Sequence, residues 1–164
     1  MSLGGPYSSS FNDAVYAVLD AGIPVVVSAG NDGQADACDK SPASVSGALT
    51  VGATQIDDYV ASFSNIGSCV DIYAPGRKIR AANYANSNGW TEKSGTSMAS
   101  PLVAGAAAGL LQVLRDAGFH SVPSTSLVDD INYYIVQFAE KDTVKGLPST
   151  DNNNVMLHTT CLTT

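Results

Sequence analysis

Ser94-Gly95-Thr96-Ser97-Met98-Ala99-Ser100-Pro101 is the stretch on which the reading of this chain turns. It opens the clearest helical pattern in the sequence, from about Ser97 to Ala117. Val103, Ala106, Ala107, Leu110, Leu111 and Leu114 keep an apolar stripe, while Ala104, Gly105, Ala108 and Gly109 leave the first half small or apolar nearly all round. A surface helix carries a fuller polar face, so the pattern predicts a central, buried helix with close neighbours. Gly118 predicts its C-terminal cap. Gly95 permits a tight approach of the backbone, and Ser97 then falls near the helix N-terminus. Unpaired amides and the positive end of the helix dipole there suit an oxygen that becomes partly anionic. The same place suits a plain helix cap, and the residues alone leave both readings open.

Upstream of this helix the chain alternates short strands with turns and one helix. Residues 1–10 are rich in Gly, Pro and Ser and read as a loop or strand end. Phe11, Ala14, Val15, Val18 and Leu19 recur at helical spacing over 11–21, with Gly22 as the stop. The run 23–28 is β-branched, as expected of a parallel strand buried on both faces. Ala29-Gly30-Asn31-Asp32-Gly33 closes it in a turn, and the polar 34–47 reads as a loop. Further strands are expected at 49–53, 61–64 and 70–74, and a surface connection or hairpin over 83–93. After the long helix, 127–139 reads as a second helix capped by Ser126, and 155–160 as a terminal strand. No internal repeat or linker divides the 164 residues, and the βα alternation predicts a single α/β layered structure.

Composition narrows the possible partners. Asp and Glu outnumber Lys and Arg by 15 to 8, for a formal charge of -7 with no basic stripe, which argues against nucleic acid. No stretch approaches 18 consecutive apolar residues, which argues against a membrane span. No basic segment followed by an apolar core opens the chain, so a secretory signal is expected, if anywhere, outside it. Cys38, Cys69 and Cys161 allow at most one intrachain disulfide. With only His120 and His158 for company, they make no zinc site.

Gly95-Thr96-Ser97-Met98-Ala99-Ser100-Pro101 followed by Val103-Ala104-Gly105 resembles the nucleophile motif of the subtilase (subtilisin-like) serine proteases. Val26-Val27-Ser28-Ala29-Gly30-Asn31 resembles the strand and loop carrying that family's oxyanion asparagine, and Ser2-Leu3-Gly4-Gly5 its substrate-lining segment. The motifs stand in the family's order, with Phe63-Ser64-Asn65 and Ala74-Pro75-Gly76 between them. Ser41-Pro42-Ala43 and Gly67-Ser68-Cys69-Val70-Asp71 are closest to its proteinase K and aqualysin-like branch. The likeness is good over about residues 1–115 and weaker beyond.

The resemblance implies an α/β fold of three layers, a central parallel sheet flanked by helices, incomplete on its N-terminal side. Residues 1–164 would then form the C-terminal portion of one peptidase S8-like catalytic domain. It implies Ser97 as the attacking nucleophile and Asn31, with the Ser97 N–H, as donor to the developing oxyanion. In subtilisin, the reference enzyme for this effect, losing the asparagine donor costs about 2.7–4 kcal/mol of transition-state stabilisation. Ser2, Leu3 and Gly4 would bind an extended peptide substrate by strand addition, and Ser28, Ala29 and Gly30 would wall the pocket for the residue before the scissile bond. Cys38 and Cys69 would form a disulfide worth roughly 4 kcal/mol. Asp71, with the carbonyls of Pro42 and Ser44, would hold a structural calcium ion, while no cofactor is needed for the chemistry. Leu102 replaces the histidine usual in the motif and is expected to exchange a polar contact for apolar packing.

The family's triad runs Asp, His, Ser along the chain, whereas both histidines here follow Ser97 and occupy no motif position. Surface or capping roles are expected for both. The resemblance thus implies a secreted serine endopeptidase whose Asp and His lie outside this chain, along with several strands of the sheet. The isolated chain should be inactive and marginally stable, its uncovered sheet edge prone to association. Three forms fit that description: a C-terminal fragment, one half of an assembly completed in trans, or a non-catalytic peptide-binding or decoy module.

Overall fold

The structure, a computed structural model, describes residues 1–86, 88–119, 122–148 and 153–159. His120 and Cys161 lie outside the described residues. In chain order the elements are β1 (Gly5–Pro6), α1 (Ser9–Asp20), β2 (Val26–Ser28), a 3-10 turn (Ala37–Asp39), β3 (Lys40–Ser41), β4 (Leu49–Thr54), β5 (Ile72–Pro75), β6 (Ile79–Ala82), β7 (Trp90–Lys93), α2 (Thr96–Asp116), α3 (Thr125–Gln137), β8 (Glu140–Lys141) and β9 (Val155–Met156). Five strands form the central sheet in the order β2-β4-β5-β9-β8. The first four run parallel, and β8 joins antiparallel to β9, which makes the sheet mixed.

Why the sheet is parallel is visible in its residues. All six positions of β4 and all three of β2 are buried, because helices or loops cover both faces. Val26, Leu49, Val51, Ala53, Ile72 and Ala74 pack on one face against Ala99, Val103, Ala106 and Leu110 of α2 and against Leu127, Ile131 and Ile135 of α3. On the other side Val25 and Val27 meet Val15 and Leu19 of α1. Ala29, Val60, Val70 and Tyr73 form a third cluster beneath the loops. Each buried Leu, Ile or Val contributes roughly 1.5–3 kcal/mol. The three-layer α/β expectation is met.

Local signals explain most element ends. Ser8 caps α1, its hydroxyl accepting from the Phe11 N–H at 3.4 Å. Gly118, at φ 83°, ends α2 just after its C-cap, with the Phe119 N–H returning to Leu114 O at 2.8 Å. The 83–93 stretch is part of a hairpin, β6 paired antiparallel with β7. The polar 34–47 stretch also contains the 3-10 turn and β3, which pairs with β1.

Several expectations are corrected. No strand forms at 61–64; the chain turns there, and the Ala61 N–H reaches Ala53 O at 2.8 Å only because the turn abuts β4. The cap of α3 is Ser124, not Ser126, so the helix begins two residues earlier than its apolar pattern suggests. The terminal strand covers only Val155 and Met156 of the expected 155–160 run, whose last residue lies outside the described residues. Most consequentially, α2 is not buried all round. Val103, Ala106, Ala107 and Leu110 pack on the sheet, whereas Ala104, Gly105, Ala108 and Gly109 are exposed. Leu102 is 41% exposed and therefore gains no core packing in this chain. Smallness all round a helix signals close approach on every side, and here only one side finds described residues to approach. By length and composition α2 could also cross a membrane, but its stripe seats it on the sheet as a core helix. Its exposed side borders an apolar groove of about 460 Å3 shared with Met1, Val18, Ile23, Val26 and Leu111. At that edge of the sheet the Met1 ammonium donates to Val26 O, and Ser28 N–H donates to Met1 O at 3.2 Å.

Candidate active site

Ser97 is the second residue of α2, and Asn31 lies in the turn just beyond β2. The sheet brings them together, since α2 packs on β2, β4 and β5. Both line one cleft of about 420 Å3 with Leu3, Gly4, Ser28, Ala29 and Gly30. Seven of the eight sequence-derived positions, Ser97 included, therefore line one cleft. Ser2 does not line the cleft; it acts from behind.

That role follows from the sequence of the helix. Pro101 has no N–H to offer the carbonyl four residues back, which belongs to Ser97. The hydroxyl of Ser2 donates to Ser97 O instead, at 2.9 Å, and lies 3.1 Å from the Ser100 hydroxyl. Reciprocally, Ser97 Oγ donates to Ser2 O at 3.4 Å. The first turn of α2 is thus tied to the N-terminal segment by two bonds. Ser97 is half-buried, and its N–H belongs to the turn whose amides have no intrahelical acceptor.

Asn31 is oriented by a residue that pattern reading passed over as a spacer. Thr96, fully buried, donates to Asn31 Oδ1 from its N–H at 2.9 Å and from Oγ1 at 3.1 Å. With Oδ1 so engaged, Nδ2 is left as the donor on the cleft side. Thr96 Oγ1 also accepts from Gly30 N at 3.2 Å, closing the loop onto the helix. Two glycines make this approach possible. Gly95 adopts φ 155° at the helix N-cap. Gly30 adopts φ 106°, and a Cβ there would stand 2.4 Å from Asn65 Nδ2. Chemically the arrangement presents a hydroxyl beside a side-chain amide donor and helix-terminal amides, the parts needed to hold a tetrahedral oxyanion.

Residues 1–154 match the subtilase family, peptidase S8. The chain belongs to the subtilase family. It is 44% identical over 156 residues to the subtilase-type proteinase psp3 of Schizosaccharomyces pombe, covering 95% of this chain and 33% of that one. To the extracellular serine proteinase of Thermus sp. strain Rt41A it is 45% identical, over 97% of this chain and 36% of that one. The crystal structure of a cold-adapted subtilisin-like serine proteinase superposes with a TM-score of 0.82 at 37% identity, covering 97% of this chain and 53% of that one. This subtilase chain therefore spans about a third of the length of the curated relatives it matches.

No described histidine of the subtilase chain borders the cleft: His158 Nδ1 pairs with Glu140 Oε1 at 2.7 Å, beside the β8–β9 pair. The Cys38–Cys69 disulfide expected from the family likeness is formed, across a Cα separation of 5.2 Å. The calcium ligand set is only partly assembled. Asp71 and Ser44 border one cavity of about 170 Å3, but Pro42 does not, its carbonyl accepting from Val45 N at 2.9 Å. Asp71 Oδ2 accepts from Thr50 N at 2.7 Å. Burial nevertheless outweighs that bond and pushes the carboxyl up to about 6. A largely buried carboxylate without a compensating cation is what a divalent ion would relieve, so the chemistry of the site fits one.

Proposed function

We propose that this chain supplies the nucleophile and the oxyanion donor of a serine endopeptidase whose general base is carried by polypeptide outside it. Ser97 Oγ attacks the peptide carbonyl and forms the acyl-enzyme. Asn31 Nδ2 and the Ser97 N–H receive the developing oxyanion. A histidine oriented by an aspartate, neither of them in this chain, takes the Ser97 proton and returns it to the leaving amine. The substrate lies extended against Leu3 and Gly4, its side chain before the scissile bond entering between Ser28, Ala29 and Gly30.

The observation that carries this reading is the pinning of Asn31 by Thr96 beside Ser97, since a helix cap alone would need no oriented amide across from it. The exposed small-residue side of α2 and the apolar groove beside it support the second half of the reading, that further polypeptide closes the domain there. Work outside the cytosol is supported by the disulfide and by an extracellular relative. A structural calcium ion would be held by Asp71 with the backbone oxygens of Ser44 and Pro42, where it would neutralise a buried charge.

The test is complementation. This chain, co-expressed with the segment that precedes the matched region in the psp3-like relative, should cleave casein, and Ser97→Ala should abolish cleavage. Absence of cleavage in a soluble, associated complex would refute the proposal.

A further inference from the structure

The cleft beside Ser97 and Asn31 contains an ion pair. Lys40 lies on β3 next to Ser41, which is fully buried, its hydroxyl accepting from Ser8 N at 2.8 Å. Lys40 and Ser41 both line the cleft with Ser97. Lys40 Nζ stands 3.1 Å from Asp32 Oδ1. Asp32 follows Asn31 directly and is fixed by the buried Asn65: Oδ2 accepts from Asn65 Nδ2 at 2.9 Å, and Asp32 N–H donates to Asn65 Oδ1 at 2.8 Å. The Asn65 bond first, then Lys40, hold the Asp32 carboxyl below its ordinary range.

The two members differ in where they sit. The Lys40 ammonium commits one of its three protons to Asp32, and the Asp32 carboxylate accepts once from Lys40 and once from Asn65. Lys40 is the more deeply set member, its side chain 25% exposed against 48% for Asp32. The inner end of the cleft is therefore a positively charged donor with two protons uncommitted to Asp32, reached past walls made of Ser28, Ala29 and Gly30 that leave room for a long side chain.

We propose that Lys40 reads the substrate side chain immediately before the scissile bond and selects glutamate there. This rests on the reading of the cleft as the peptide-binding site of the protease. A glutamate carboxylate shares the ammonium with Asp32. A lysine or arginine meets a like charge, and a leucine desolvates the ammonium without replacing its water. The flexible four-carbon stem lets Lys40 follow the ligand while Asp32 stays on Asn65.

The test is binding, which needs no base. N-acetyl tetrapeptide amides ending in Glu, Gln, Leu or Lys are titrated into the purified chain and followed by amide chemical shifts. The Glu peptide should bind about tenfold more tightly than the Leu and Lys peptides, with Gln between, and the advantage should shrink at 1 M salt. Lys40→Met should erase the ranking and Lys40→Arg should restore it. Preference for Leu, a ranking unchanged in Lys40→Met, or no binding by any peptide would overturn the proposal. Because binding is read without turnover, failure of the proteolytic reading shows separately, as an intact Glu preference in a complemented domain that cleaves nothing.

Discussion

Replacing Asp71 by asparagine should stabilise the calcium-free chain at neutral pH, although it removes a charge from a site built of oxygens. The carboxyl is raised from an ordinary value of 3.8 to about 6, chiefly by burial. Between those values the folded state binds more protons than the unfolded one, so stability falls as pH rises through the interval. The whole interval corresponds to about 3 kcal/mol, absent below 3.8 and fully expressed above about 6. Asparagine keeps an oxygen for Thr50 N, which now donates to Asp71 Oδ2 at 2.7 Å, and carries no charge to desolvate. Urea unfolding in EDTA, from pH 3.5 to 8, should show the two proteins equal at the acid end and Asp71→Asn ahead by up to about 3 kcal/mol above pH 6. Calcium should close the gap at 100 times its dissociation constant, where it adds about 2.7 kcal/mol to the protein that binds it, and reverse the order at 1,000 times, where it adds about 4.1 kcal/mol. A difference between the two proteins that does not change with pH in EDTA would refute the burial argument.

Two further perturbations address the frame around the cleft. Thr96→Val removes a buried hydroxyl that serves both Asn31 and Gly30, and should cost about 1–3 kcal/mol in denaturant unfolding and broaden the Asn31 side-chain amide resonances. Thr96→Ser should keep both properties. Reducing the Cys38–Cys69 bond, which spans a sequence separation of 31, should cost about 4 kcal/mol on the chain-entropy account, read as a lower midpoint in dithiothreitol than in oxidising buffer.

The parts of this molecule that sequence made legible are those where one residue type has one physical job. The β-branched 23–28 run read as a strand buried on both faces, and its last three residues, Val26–Ser28, form one while Ile23 is exposed; Gly118 ends its helix as its type suggests. The motif around Ser97 placed the hydroxyl in the first turn of α2 as expected. What escaped depended on partners distant in the chain. Ser124 and Ser126 are equally good caps by type, and only the seating of Leu127 and Val128 in the core chooses Ser124. Thr96 reads as filler until Asn31, 65 residues away, supplies two acceptor contacts. Lys40, within the polar 34–47 run, gives no sign in the sequence of its contact with Asp32. The burial of α2 was overstated for a different reason. Small residues on every face record what a helix can approach, and only the structure tells which approaches are made within this chain.

The central claim is that Ser97 is a nucleophile in place but without its base. A fluorophosphonate probe, with labelled sites mapped by peptide mass, tests it most directly. The chain alone should remain unlabelled, and mixing with the complementing aspartate- and histidine-bearing segment should give one label per chain, at Ser97. Stoichiometric labelling of Ser97 in the chain alone, or labelling at any other residue after mixing, would contradict the account.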